Sequence, residues 1–159
     1  MRSKLSIAIP LVVLVVAGGV LLPSSASGQT VLHVVFGPQP TTKFVDVDGD
    51  GLRLGDRIAA RGPLFDETQT DRLGTSYAQC LVHRRIVDPD RGLWNCNYVL
   101  ELADGDIMLQ GLDPRGPGVY EMSVLGGTGA FAGVTGDATF TDVGSDADAY
   151  TDMVIRLSR

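Results

Sequence analysis

Positive charge is scarce in this sequence: 13 lysines and arginines stand against 19 aspartates and glutamates, for a formal net charge of −6. That balance excludes a surface built for nucleic acid or anionic membrane, both of which call for clustered cations. Histidine and cysteine are equally rare, with two of each. His33 lies inside a valine-rich run and His83 is far from it in sequence, so His33 reads as a packed or hydrogen-bonded side chain, and no metal site is expected. A phosphate loop is missing as well. In the most glycine-rich stretch Gly129 is followed by Ala130 and Phe131, where a Walker A loop needs Gly-Lys-Ser/Thr. Helical periodicity is absent outside the first 28 residues. Behind the glycines, Val134, Gly136, Ala138 and Phe140 repeat with a period of two, which excludes the helix that a dinucleotide fingerprint requires. No cofactor is expected.

What is present begins with a leader. Met1-Arg2-Ser3-Lys4 is a short positive region, residues 5–22 are almost continuously apolar, and residues 23–28 are small and polar. This is the pattern of a secretory signal peptide (1–28), with cleavage after Ala26 or Gly28; a retained membrane anchor is the rival reading. Removing it takes Arg2 and Lys4 and lowers the charge to −8, leaving one domain over residues 29–159 that is expected outside the cell. Cys80 and Cys96 both lie in that part, and an even pair in an oxidising compartment is expected to form a disulfide. Their midpoint falls at Asp88, inside the turn sequence Asp88-Pro89-Asp90-Arg91-Gly92, so a hairpin folded there sets them across one ladder. Two buried, unpaired cysteines facing one interior are the alternative.

The rest of the chain alternates. Strands are expected over residues 30–36, 75–87, 93–102, 107–111, 119–125, 134–141 and 150–157. Residues 62–72 are read as a loop, as are 142–148. Ser76, Ala78, Cys80 and Val82 share one face of their strand, opposite Tyr77, Gln79, Leu81 and His83; Trp94, Cys96, Tyr98, Leu100 and Leu102 share a face of the next. Asp104-Gly105 is a hairpin signal. About eight strands joined by turns make an all-β antiparallel barrel or sandwich, and a barrel leaves no sheet edge exposed. The glycine stretch Val124-Leu-Gly-Gly-Thr-Gly-Ala-Phe-Ala-Gly-Val-Thr-Gly136 reads as a corner between two of these strands, seating Phe131 in apolar space. Asp46, Asp48, Asp50 and Gly51 are spaced like the opening of a calcium loop, but the twelfth position is Arg57 instead of glutamate. A solvated acidic turn is therefore the default, with calcium, or one aspartate serving a polar site, as alternatives.

Taken in order, Leu54-Gly-Asp56, Gly62-Pro-Leu64, Gly74 with Ala78 and Cys80, Asp104-Gly-Asp-Ile107 with Gln110-Gly111, and the glycine motif from Gly126 to Gly136 resemble the allene oxide cyclase and dirigent protein superfamily, from about Leu52 onward. The resemblance implies an eight-stranded antiparallel β-barrel of the calycin-like type, often trimeric, closing around a small hydrophobic molecule. It implies chemistry without a cofactor: plant allene oxide cyclases close a cyclopentenone, dirigent proteins steer phenoxy-radical coupling, and bacterial relatives include polyketide cyclases. The cyclases' first-strand glutamate has no counterpart in Val31-Leu-His-Val-Val-Phe36. The dirigent sequence Gly-Arg-Ala-Gln-Gly corresponds to Ser76-Tyr77-Ala78-Gln79-Cys80, which puts Tyr77 at the arginine and Cys80 at a cysteine beside the cyclase pocket. Tyr77 and Cys80 alternate to opposite faces, so both line a lumen only if a bulge intervenes. The expected catalytic set is Tyr77 and Tyr98 as hydrogen-bond donors with Asp48 or Asp50 as acid or base; Cys80, Trp94, Gln110 and Phe131 are the expected pocket. A non-catalytic extracellular binding or structural barrel is the alternative.

Overall fold

The computed structural model describes residues 28–38, 40–49, 53–85, 92–114, 118–144 and 149–159. Residues 1–27 of the expected leader (1–28), Asp50 and the Asp88 turn lie outside them. Nine strand segments form one antiparallel sheet: β1 (Thr30–Phe36), β2 (Thr41–Val45), β3 (Arg57–Asp66), β4 (Arg72–Arg85), β5 (Gly92–Leu102), β6 (Gly105–Asp113), β7 (Val119–Gly127), β8 (Thr135–Val143) and β9 (Tyr150–Ser158). Neighbours run in chain order from β2 to β9. β1 then pairs with β9 over Thr30↔Leu157 to Phe36↔Thr151 and closes the ring on β3 through Val34↔Asp66, Val35↔Phe65 and Phe36↔Leu64. β2 pairs with the first half of β3, Thr41↔Arg61 to Val45↔Arg57, so β1 and β2 together fill one position and the barrel is eight-stranded.

β3 corrects the expected loop over residues 62–72, where Gly62 and Pro63 argued against a strand. Gly37 N–H donates to Pro63 O (3.0 Å), so the missing Pro63 N–H faces the break between β1 and β2, where the ladder has no partner to lose. β2 is absent from the expected strands because all five of its residues are exposed and no buried face writes alternation into it.

The lumen is lined by the faces that alternation assigned. Ala78, Cys80, Val82, Trp94, Cys96, Tyr98, Leu100, Ile107, Leu109, Met122, Phe140, Met153 and Ile155 are all buried there. Cys80 and Cys96 pair directly across β4 and β5 and are joined in a disulfide. The expected hairpin forms one residue earlier than its Asp104-Gly105 signal: Ala103 and Asp104 make the turn, and Gly105 pairs with Leu102.

The glycine corner seals one end. Gly129–Phe131 is a 3-10 turn after β7, with Thr128 N–H bonded to Asp106 O (2.9 Å) and Ala130 N–H to Asp104 O (2.8 Å), while Phe131 packs on the core from the rim. A side chain at Gly127 would strike the Asp106 carbonyl and come within 2.7 Å of Phe131 Cβ, so the close approach itself demands glycine. Outside the barrel, His33 bridges Glu67 Oε2 (2.9 Å) and Asp152 Oδ1 (2.6 Å) across the β1 seam, a hydrogen-bonded role as expected.

Candidate functional site

The opposite end of the lumen is polar. Tyr98 on β5, Asp113 on β6, Tyr120 on β7 and Asp142 on β8 each continue the inward-facing alternation of their strand. Their floor is Phe140, fully buried, whose ring centre lies 5.2 Å from that of Tyr98 and 5.3 Å from that of Tyr120 in tilted contacts. The two phenols are close enough to interact electrostatically. Trp94 pairs with Asp113 across β5 and β6, and one Asp113 oxygen lies 3.9 Å from the Cys96 sulfur. With that sulfur oxidised it carries no proton, so the approach is a packing contact.

Electrostatics divide these groups by role. Burial, and then the nearby Asp113 and Asp142 carboxylates, push the Tyr98 phenol far up; burial, Tyr98 and the same carboxylates do so for Tyr120. Both phenols therefore stay protonated and remain donors at neutral pH. Burial also raises the Asp142 carboxyl and Asp113 adds to the rise, against the Thr151 hydroxyl that donates to Asp142 Oδ1 at 2.9 Å. A carboxyl held above its ordinary range is suited to giving and taking a proton.

An open cavity of about 300 Å³ lies beside Asp142, lined also by Phe36, Gly37, Pro40, Val143 and Tyr150 among others. That volume sits at the lower limit of ligand pockets, roughly 300–1,000 Å³. Asp142 belongs to both the cavity wall and the inner cluster. Among the described residues no three histidine, cysteine or carboxylate side chains are placed to hold a metal ion.

The expected site residues divide accordingly. Tyr98 and Trp94 are in the lumen at this end, and Cys80 is in the wall beside them. Tyr77 is not: no bulge falls between Gly74 and Val82, so it faces outward, 39 % exposed, with its hydroxyl on Glu101 Oε2 (3.1 Å) and Arg61 over its ring. Gln110 is also exposed on the outer face, by the same alternation. Phe131 plugs the sealed end, away from the polar cluster. Asp48 is exposed in the loop between β2 and β3; there Asp46 Oδ1 accepts from Gly49 N–H (2.6 Å), and buried Asp56 accepts from Val47 and Arg53. That wiring makes the acidic motif a self-capped turn. Asp50 lies outside the described residues.

Tyr120, Asp113 and Asp142 were not among the expected residues. Their signal was available: extending the period of two from Ile107 and Leu109 reaches Asp113, and from Ala138 and Phe140 reaches Asp142. Turn residues beside both aspartates hid it.

No protein-family profile and no curated protein sequence matches the chain. Solved structures share its barrel. A pyocyanin demethylase superposes with a TM-score of 0.62 at 22 % identity over 79 % of this chain and 98 % of its own. A pterocarpan synthase dirigent protein gives 0.67 at 21 % identity over 82 % and 95 %, and the exo-specific intermolecular Diels-Alderase AbnU gives 0.58 at 17 % identity over 80 % and 96 %. At such identities the likeness is one of fold, an eight-stranded closed barrel also used by proteins that act on small molecules.

Proposed function

We propose that this protein is an exported barrel that admits a small hydrophobic molecule at the Asp142 end and guides its cyclisation, isomerisation or stereoselective coupling with its own side chains. The observation that carries this is the convergence of two protonated phenols and two carboxyls on one aromatic-walled end of the lumen, beside an open cavity. Trp94, Tyr98, Tyr120 and Phe140 restrict a flexible substrate to a folded conformer, which supplies most of the acceleration. The phenol pair donates to oxygen as negative charge develops on it. Asp142 takes a proton from one carbon or oxygen and returns it to another, so a rearrangement leaves the side chain as it began. The barrels it resembles in fold include a demethylase, a pterocarpan synthase and a Diels-Alderase, which fits a scaffold that orders reactive small molecules.

The outer face of β4 to β6 carries exposed Tyr77, Leu81, Val99, Met108 and Leu112 without an intervening charge in the row Tyr77↔Val99↔Met108, and we assign it to self-association as a homotrimer. Extensive filling of the lumen by Leu64, Leu100, Ile107, Leu109 and Met153 favours a second reading, a barrel that binds or supports without turnover. The test is a thermal-shift screen of small phenols and polyenes, followed by chiral chromatography of the mixtures that stabilise the protein. New or stereochemically enriched product supports the first reading. Stabilisation without product supports the second, and stabilisation by none of them overturns both ligand readings.

A further inference from the structure

Among the described residues, buried Asp56 accepts from the Val47 and Arg53 amides and buried Thr75 accepts from Arg72, whereas the Ser76 hydroxyl, fully buried, has no hydrogen-bond partner. A buried hydroxyl left in that state costs free energy that a partner recovers. Ser76 shares the inward face of β4 with Ala78 and Cys80, and its partners across the ladder are Gly62 on β3 and Leu100 on β5. The next inward rung of β3 and β4 is Ala60↔Ala78. Ala60, Gly62, Ser76 and Ala78 thus form a bay of small residues in the wall of the lumen, and the lone hydroxyl is aimed into it.

What the bay accepts is shown by what rests on it. A Cβ at Gly62 would come within 2.6 Å of Phe36 Cε2 and 3.3 Å of Pro40 Cβ, so an aromatic ring already lies against the glycine. Phe36 and Pro40 also wall the open cavity beside Asp142, which places that ring between the cavity and the Gly62↔Ser76 rung. We propose that the bay takes an aromatic ring bearing a carbonyl group, that the carbonyl oxygen accepts from the Ser76 hydroxyl, and that Ser76 thereby sets which ligands the lumen holds. This rests on the reading that a small hydrophobic molecule enters beside Asp142; the Phe36 ring gives way to it. Ala78 lies two residues from Ser76, about 7 Å along the strand, and pairs with Tyr98, so a molecule anchored at Ser76 reaches the phenol with its other end. A ligand of the same shape without the oxygen leaves the hydroxyl stranded and is discriminated against on that account.

Acetophenone and α-methylstyrene form a matched pair, C=O against C=CH2, and each is titrated calorimetrically into the purified wild-type protein and into Ser76→Ala. The alkene reports apolar contact alone. Ser76→Ala is expected to weaken acetophenone roughly tenfold while leaving α-methylstyrene within about twofold. The carbonyl stretch of acetophenone bound to the wild type should fall below its value in hydrocarbon, and in Ser76→Ala it should return toward that value. Without ligand, Ser76→Ala should keep or raise the urea midpoint, because it removes a hydroxyl that nothing satisfies. Equal weakening of both probes, an unshifted stretch in the wild type, or a lowered midpoint in the ligand-free variant overturns the role of Ser76 and leaves the ligand reading standing. Binding of the alkene alone does the same. Failure of both probes to bind the folded wild-type protein overturns the ligand reading as well. Should Ser76→Ala not fold, the carbonyl stretch in the wild type decides the matter.

Discussion

The rings of Tyr98 and Tyr120 pack on the same Phe140 ring, with centroids 5.2 and 5.3 Å away, although their strands, β5 and β7, are not neighbours in the sheet. Only the curvature of a closed barrel brings them together, over the ring of Phe140 on a third strand. Removing either hydroxyl leaves the ring contacts in place and takes one buried polar group out of the cluster. Tyr98→Phe and Tyr120→Phe are therefore expected to fold with a loss of about 1 kcal/mol in urea unfolding. Turnover on a substrate found by the screen should fall by roughly a hundredfold. Tyr77→Phe, which alters only the outer face, is the control and should leave that rate unchanged; a fall equal to that of Tyr98→Phe would contradict the inward assignment.

The disulfide is checked by mass. The purified protein should be two hydrogens lighter before reduction than after, and a count of two free thiols would remove it from the account. The bond closes a loop with a sequence separation of 16. Losing it in Cys80→Ser, Cys96→Ser should cost about 3 kcal/mol in the chain-entropy view. Because Cys96 touches Asp113, ligand affinity should weaken in the same variant.

Asp142 carries a pH signature whose sign is fixed by burial. Its carboxyl is raised on folding, so the stability it contributes is full below the ordinary carboxyl value of 3.8 and is lost as pH rises through its higher native value. An amide in its place does not titrate and can still accept from Thr151. Urea midpoints compared across that window should therefore show Asp142→Asn gaining on the wild type as pH rises. A difference that stays constant with pH would mean that the native carboxyl is not raised.

At the sealed end, Gly127→Ala tests the close approach. The added methyl has to displace the Asp106 carbonyl or Phe131, at a cost of roughly 1–3 kcal/mol. Denaturant unfolding measures it, and a neutral result would show that the glycine corner yields more readily than its contacts suggest.

Much of this architecture was legible from alternation. β4 and β5 bury one face and expose the other, so Cys80, Cys96, Trp94 and Tyr98 could be placed inward and the cysteine register read from the sequence. The same rule put Tyr77 outside, and the structure keeps it there against its match to a dirigent arginine. Illegible were the features that depend on closure. β2 has no buried side, and Pro63 looks like a strand breaker until the gap between β1 and β2 lies opposite it. Tyr120, Asp113 and Asp142 come from three strands, and nothing local in the chain signals that their ends share a wall.

The pairing of β1 with β9 has a consequence for the order of events during synthesis. The first strand finds its longest run of partners in the last, seven rungs from Thr30↔Leu157 to Phe36↔Thr151, and only three rungs hold it to β3. No portion lacking β9 can close the ring, so closure waits for that strand, a topology that folds slowly because its closing contacts lie far apart in sequence. For a chain exported as proposed above, that delay serves the cell: the polypeptide stays threadable until it has crossed, and the ring locks on the far side, where Cys80 and Cys96 can be oxidised.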